Sequence, residues 1–377
     1  MTSQACIIGT GTTAARLKLA DGGLATHEYH WRDRQAWLRE QGYMLRPRYR
    51  PDWKPSWLGT AKYHRDCEDG LITLWPTVLD ARRLSDGLPV MLKAIDTVIH
   101  PFEVEIGRYL SSEQLLHDPR NHCVHMLEVL RDPIDIKKSI IVMPLLKRFG
   151  NPEFQTFGEV VAFFKQAIEG LHFMHDHHVA HRDISILNVM MDATPMYSKG
   201  LWHPVSAVYN RRFTGGAEHS SRTERPIKYF YIDFGLSRRY DPADGPPREL
   251  PIRGGDKSVP EFQEDGYDVA SDPFRTDIYY LGNLMRTTFF EKYRGFGFMK
   301  QLVADMVQDD PEKRPTIAEV GTRFDKICRR LSWWKLRTRL VAKEETGLER
   351  AVFSTMHFFW TAKLVAKRLP SVPIPSS

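Results

Sequence analysis

Cysteine is scarce: Cys6, Cys67, Cys123 and Cys328 are the four in 377 residues, widely separated and with no Cys-x-x-Cys pair. Such spacing supplies neither a zinc-ligand set nor a disulfide framework, and it fits a reducing intracellular compartment, cytoplasm or nucleus. No run of about 18 apolar residues occurs, so no ordinary transmembrane helix is expected. Thr, Gly and Arg interrupt Ala5 to Leu17, which removes the continuous apolar stretch of a signal peptide. Strong charge is lacking too. The 53 basic residues exceed the 47 acidic ones by six, and the excess is spread along the chain. It permits an acidic partner, a phosphate ligand or a membrane surface and requires none of them. What is present is apolar content, 42% of the chain, enough for a large core or two lobes.

Residues 1–56 show little periodicity. Gly9-Thr10-Gly11 has no strand before it and no third glycine in register, so it reads as a flexible terminus rather than a phosphate loop. Trp31 to Trp57 interleaves aromatics with Arg46-Pro47-Arg48-Tyr49-Arg50-Pro51. That mixture can contact nucleic acid. The expectation adopted is an extended arm whose aromatics pack on the fold, without a nucleic-acid partner. From Leu71 the pattern turns β-rich: Leu71–Trp75, Thr77–Ala81 and Val90–Ile95 read as strands, with a hairpin turn at Ser85-Asp86-Gly87. Glu103–Leu110 reads as a helix and Ser139–Pro144 as a buried strand. Thr156-Phe157-Gly158-Glu159 is a capping box opening a helix with Val161, Phe164, Ile168, Leu171 and His175 on one stripe. The histidines near its end lack metal-ligand spacing and read as structural.

The chemistry concentrates in His181-Arg182-Asp183-Ile184-Ser185-Ile186-Leu187-Asn188 and in Asp233-Phe234-Gly235. An Asp and an Asn on one short loop suit phosphoryl transfer. Asp183 can accept the proton of an attacking hydroxyl, and Asn188 can offer an amide oxygen to Mg²⁺, a hard cation. Asp233 would be the second metal ligand. Both motifs, in this order, resemble those of the eukaryotic protein kinase superfamily, with a divergent fungal kinase-like branch the nearest resemblance. Val259-Pro260-Glu261, Asp277-Ile278-Tyr279-Tyr280-Leu281-Gly282 and Asp310-Pro311-Glu312-Lys313-Arg314-Pro315-Thr316 extend it, so that it covers roughly residues 70–330.

The resemblance implies an α+β bilobal fold with a small β-rich lobe, a larger helical lobe and an ATP cleft between them. It implies ATP and Mg²⁺ as cofactors and a protein Ser/Thr substrate, and a monomer is expected. Lys93 would hold the nucleotide's α- and β-phosphates, oriented by Glu105, with Glu103 the fallback. Met143 would be the gatekeeper, and Pro144 to Leu146, including Leu145, would face the adenine. Asp277 would hydrogen-bond the catalytic-loop backbone, and Arg314 would form a buried ion pair with Glu261. Arg182 would anchor a phosphate on Ser258 or pair with an acid such as Asp256. The expected divisions are an extension at 1–56, lobes at 57–146 and 147–331 with a surface insertion about 193–225, and a basic tail at 332–377.

Two departures motivate a second reading, a kinase-like scaffold without catalysis. Only Gly70 stands where the family has a glycine-rich loop, and Ser185 replaces the usual lysine two residues after the catalytic Asp. RIO-type kinases carry a similar Asp-x-Ser-x-x-Asn loop and are active. A small-molecule kinase is disfavoured, because the late motifs build a platform for protein substrates. Leu348 to Leu369 is amphipathic and basic, and could lie in a membrane interface or dock on the helical lobe, the latter being favoured. Residues 370–377 are expected to be disordered.

Overall fold

A computed structural model describes residues 21–73, 75–252, 255–263, 266 and 268–375. Cys6, the stretch Ala5–Leu17 and Gly9-Thr10-Gly11 lie outside them. The chain is α+β, with antiparallel β-pairing, and divides into two compact units. No helix among the described residues is long and apolar enough to cross a membrane.

Unit 1 is built from described residues up to Ile95, from Leu127–Leu145 and from Gly200–Glu218. After α1 (Gln35–Glu40), strands β1 (Tyr43–Leu45), β2 (Val78–Arg83), β3 (Pro89–Asp96), β4 (Glu128–Arg131) and β5 (Lys138–Pro144) form one sheet in the order β1-β2-β3-β5-β4. Alternation decides which side chains enter the core: Val90 and Leu92 of β3 are buried with Leu79, Ala81, Ile140 and Val142, while Lys93 stays half-buried. The β2–β3 turn forms at the expected place. Gly87 takes φ +73°, and the Asp86 carboxylate accepts from Leu88 N at 3.0 Å.

Two expectations change here. Leu71–Ile72–Thr73 and Trp75 are not a strand; the first strand among the described residues is Tyr43–Leu45, paired with Arg83–Ala81. The aromatics of the Trp/Arg stretch pack on the fold as expected, but as part of its core rather than as an extended arm. Trp31, Leu38, Tyr43, Leu45 and Tyr49 belong to the core of unit 1. Three of its arginines are internal: Arg48 holds Glu28 through two bonds of 2.7 Å, and Arg46 pairs with Asp80 at 3.2 Å. Arg34 grips Asp132 at 2.6 and 2.8 Å. Burial alone would raise the Asp132 carboxyl; the Arg34 bonds outweigh it and hold the carboxyl below its usual range.

The insertion is likewise no surface excursion. Gly200–Glu218 belongs to unit 1, where Trp202 is buried, His203 meets Glu68 at 3.1 Å and Arg211 meets Asp80 at 3.3 Å.

Unit 2 takes Asp96–Met126, Leu146–Lys199 and the chain from His219 onward. Its elements are α2 (Glu103–Leu110), β6 (Lys147–Arg148), α3 (Phe157–Asp176), β7 (Val179–Ala180), β8 (Val189–Met191), β9 (Tyr229–Tyr231), β10 (Arg238–Arg239), α4 (Pro273–Met285), α5 (Lys300–Met306), α6 (Ile317–Arg330), α7 (Trp333–Arg337) and α8 (Gly347–Ala366). The core runs along α3, buried on nearly every side rather than along one stripe. Phe163 stacks on Phe149 at 4.5 Å, and Phe164 meets Phe289 edge-on at 5.1 Å. The expected capping box is half made: Thr156 Oγ1 accepts from Glu159 N, but Glu159 receives Gln155 N and both donors of Thr223 instead. Arg222 is buried and donates to the carbonyls of Phe149, Pro152 and Glu153 at 2.6, 2.6 and 3.0 Å. Residues 371–373 are packed rather than loose: Pro373 is buried, and the Ser371 carbonyl lies over Gly158, where a side chain would collide with it, while 376 and 377 lie outside the described residues.

Candidate active site

Two short antiparallel pairings in unit 2 set the chemistry-bearing loops side by side. β8 pairs with β9, Val189 opposite Tyr231, and β7 pairs with β10, Ala180 opposite Arg238. The loop 181–188 therefore runs beside the loop 232–237. Three bonds tie them: Ile232 N to Asn188 O at 3.0 Å, His181 Nε2 to Ile232 O at 3.1 Å and Ser237 Oγ to His181 O at 2.9 Å. His181 is wholly buried, and burial pushes its pKa down. A neutral ring with its proton on Nε2 satisfies Ile232 O and leaves Nδ1 to accept from Asp183 N at 3.3 Å.

Asp277 of α4 holds the first loop from below. Its fully buried carboxylate accepts from His181 N at 2.8 Å, Arg182 N at 2.7 Å and His175 Nε2 at 3.1 Å. Arg182 takes φ +65°, a conformation an arginine adopts only when its surroundings impose it. The two bonds to Asp277 impose it, and the chain turns so that Asp183 follows directly. Asn188 Nδ2 then donates to both the carbonyl and Oδ2 of Asp183, at 2.8 Å each. With its NH₂ used on Asp183, the amide oxygen of Asn188 is turned away from that residue, the orientation a metal ligand needs. Ser185 shapes this loop locally: its hydroxyl accepts from Leu187 N at 3.2 Å, and its carbonyl from Asn188 N at 3.0 Å.

No family profile and no curated protein matches this chain. The residues themselves therefore carry the reading. Asp233 also sits in the left-handed region, φ +66°, with its carboxylate at 3.4 Å from Gly235 N. Gly235 is boxed in: a Cβ there would lie 3.0 Å from both Glu103 Oε2 and His100 Nδ1 and 3.2 Å from Asp233 Oδ1. Only glycine fits. His100 Nδ1 bonds the Gly235 carbonyl at 3.0 Å. Of the two acids weighed on α2, Glu105 is exposed and Glu103 is buried against this turn. The sequence held the signal, since Glu103, Ile106 and Leu110 share one helical face at i, i+3 and i+7.

The acid that Arg182 meets is not Asp256. Its guanidinium meets Glu249 at 3.3 Å and the Leu250 carbonyl at 3.3 Å, while Asp256 bonds Asn283 and Ser258 Oγ faces the Tyr279 hydroxyl at 3.2 Å. Gly255, not singled out in the sequence, takes φ +69°, and a Cβ there would lie 3.1 Å from Asp183 Oδ1. Arg314 pairs with Glu261 as expected, through bonds of 2.7 and 2.6 Å.

The other residues expected to bind nucleotide belong to unit 1. Lys93 is on β3 opposite Val78, and Met143 and Leu145 are buried at the end of β5, the strand beside β3. Among the described residues no three His, Cys, Asp or Glu side chains gather into a metal cage. Mg²⁺ does not need one, because it is ordinarily held by one or two carboxylates with substrate phosphates and water. One carboxylate, Asp233, with one amide oxygen, Asn188, on adjacent tied loops fits that donor set.

Proposed function

We propose that the protein is an ATP- and Mg²⁺-dependent phosphotransferase of protein-kinase type acting on protein hydroxyl groups. The observation that carries the reading is the Asp277-held loop, which forces Arg182 into a strained conformation and delivers Asp183 against Asn188. Strain of this kind is tolerated where geometry must be held for chemistry. In this reading Asp183 accepts the proton of the substrate hydroxyl, and its Oδ2 is oriented for that by Asn188 Nδ2. Asn188 and Asp233 would hold Mg²⁺, which neutralises charge on the phosphates when bound. Lys93 would grip the nucleotide phosphates, Met143 and Leu145 would line the adenine, and the orienting acid is reassigned from Glu105 to Glu103. The sheet order β1-β2-β3-β5-β4 and the buried Glu261–Arg314 pair support a bilobal kinase-type fold.

A non-catalytic scaffold is the second reading, and one observation favours it. The β1–β2 connection, where kinases carry a glycine-rich hairpin, runs over residues 46–77 and buries Arg46 and Arg48 in ion pairs. The test is paired: nucleotide affinity by titration, and labelled γ-phosphate transfer to a generic basic protein. Asp183→Ala should abolish transfer and leave Mg-ATP affinity nearly unchanged. A wild type that binds ATP but never transfers phosphate, with Asp183→Ala indistinguishable from it, hands the site to the scaffold reading.

A further inference from the structure

Helix α8 is built inside out. Its start is sound: Thr346 and Glu349 form a capping box with bonds of 3.3 and 2.9 Å. The side against unit 2 is mostly polar. Ser354 Oγ accepts from Arg339 Nε at 3.1 Å, His357 Nε2 donates to the Arg337 carbonyl at 2.8 Å, and Lys367 Nζ reaches Glu224 at 3.1 Å. Leu364 is its one fully buried apolar side chain. The opposite side is apolar and open: Leu348 is 77% exposed, Val352 48%, Met356 63%, Phe358 68%, Phe359 68% and Val365 42%. A surface helix in water ordinarily does the reverse, turning its apolar stripe inward. Here polar bonds pin the helix and leave the apolar side outward. An exposed patch of that kind marks an interaction surface.

Charge selects the occupant. From Arg350 to the last residue the chain has no Asp or Glu, while Arg350, Lys363, Lys367 and Arg368 are basic. The only charge among the outward apolar residues is Lys363, which the helical phase of about 100° per residue places between Val352 and Met356. In a contact with a second copy this ammonium would be desolvated, while the one acid of the helix, Glu349, is already held by Thr346 N and Oγ1 at 2.9 Å each, and lysine is depleted at such interface centres. On a bilayer its aliphatic stem lies among the acyl chains and its ammonium reaches the headgroups. We propose that the outward face of α8 seats this protein on a lipid surface carrying anionic headgroups, with Met356, Phe358 and Phe359 entering the acyl boundary and Lys363 and Arg368 contacting phosphate. The inference is independent of the phosphotransferase reading.

Flotation of the full chain with phosphatidylcholine vesicles, with and without phosphatidylserine, tests it alongside light scattering and melting. Wild type should float with the phosphatidylserine vesicles and bind less as salt rises. Met356→Ser/Phe359→Ser should lose partitioning by about ten-fold or more at unchanged melting, and Lys363→Glu should lose the preference for phosphatidylserine. Phe358→Ser, on the same open side, serves if the double variant does not fold. Wild type that stays with the sediment at all salts overturns the proposal. So does a dimer that the serine variants dissociate, which would make the face a contact between copies.

Discussion

Removing the Arg314 guanidinium should unfold unit 2 at markedly lower temperature. Its side chain is fully buried, and Glu261, its partner, is nearly so, at 8% exposure. Two bonds of 2.7 and 2.6 Å join them, and Thr276 Oγ1 adds a third to Glu261 Oε1 at 2.9 Å. Arg314 also satisfies the carbonyls of Gln308 and Arg275, at 2.8 and 3.1 Å, and lies 4.9 Å over the Tyr279 ring. Arg314→Ala leaves a buried carboxylate facing a void and frees those carbonyls. Breaking such a pair costs about 3–5 kcal/mol. For a unit of about 150–250 residues each kcal/mol moves melting by about 2–4 °C, so the fall should be about 6–20 °C. Calorimetry of wild type and variant measures it directly. The companion variant Arg314→Met/Glu261→Leu removes the stranded charge and should recover most of the loss, since apolar replacements of buried pairs are often neutral or better. An Arg314→Ala variant that melts within a degree or two of wild type refutes the reasoning, because the guanidinium would then be doing nothing that water cannot replace.

Asp277→Asn keeps one acceptor oxygen for two backbone donors, so one N–H of His181 or Arg182 is orphaned. It should cost about 1–3 kcal/mol and depress phosphate transfer more than nucleotide affinity, which paired kinetics and titration would separate. His122 is buried, donates to the Tyr229 carbonyl at 2.9 Å, and burial pushes its pKa down to about 4 from 6.5. The unfolded chain binds a proton there that the folded one refuses, so stability should fall as pH drops from about 6.5 to about 4, by about 3 kcal/mol. Denaturation midpoints across that window should flatten in His122→Leu; an equally steep variant would show that the slope comes from elsewhere. Gly255→Ala places a methyl 3.1 Å from Asp183 Oδ1 in a left-handed conformation. It should lower transfer well beyond its strain of about 1–2 kcal/mol, and transfer at the wild-type rate would remove Gly255 from the site.

Local order was legible wherever a few neighbouring residues decide it. The Asp86-Gly87 turn, the alternation of Val90 and Leu92, the strand ending in Pro144 and the capping residue Thr156 all follow from φ preference, pleat and side-chain reach, which act within a turn or a strand. The order of His181-Arg182-Asp183, Asn188, Asp233 and Asp277 likewise pointed to their grouping. Tertiary structure decided what depends on distant partners. Tyr43–Leu45 is too short to announce itself and becomes a strand only because Arg83–Ala81 lies beside it. Arg34 and Arg48 lie in a stretch expected as an extended arm, and only Asp132 and Glu28, distant in sequence, desolvate them in pairs. Arg182 found Glu249 rather than Asp256, because its strained backbone aims the side chain after the main chain has been placed. Helix α8 makes the division plain. Its sequence states that it has apolar residues on several sides. Only the polar anchors Arg339, Arg337 and Glu224, scattered elsewhere in the chain, determine which of those sides is turned away from the protein.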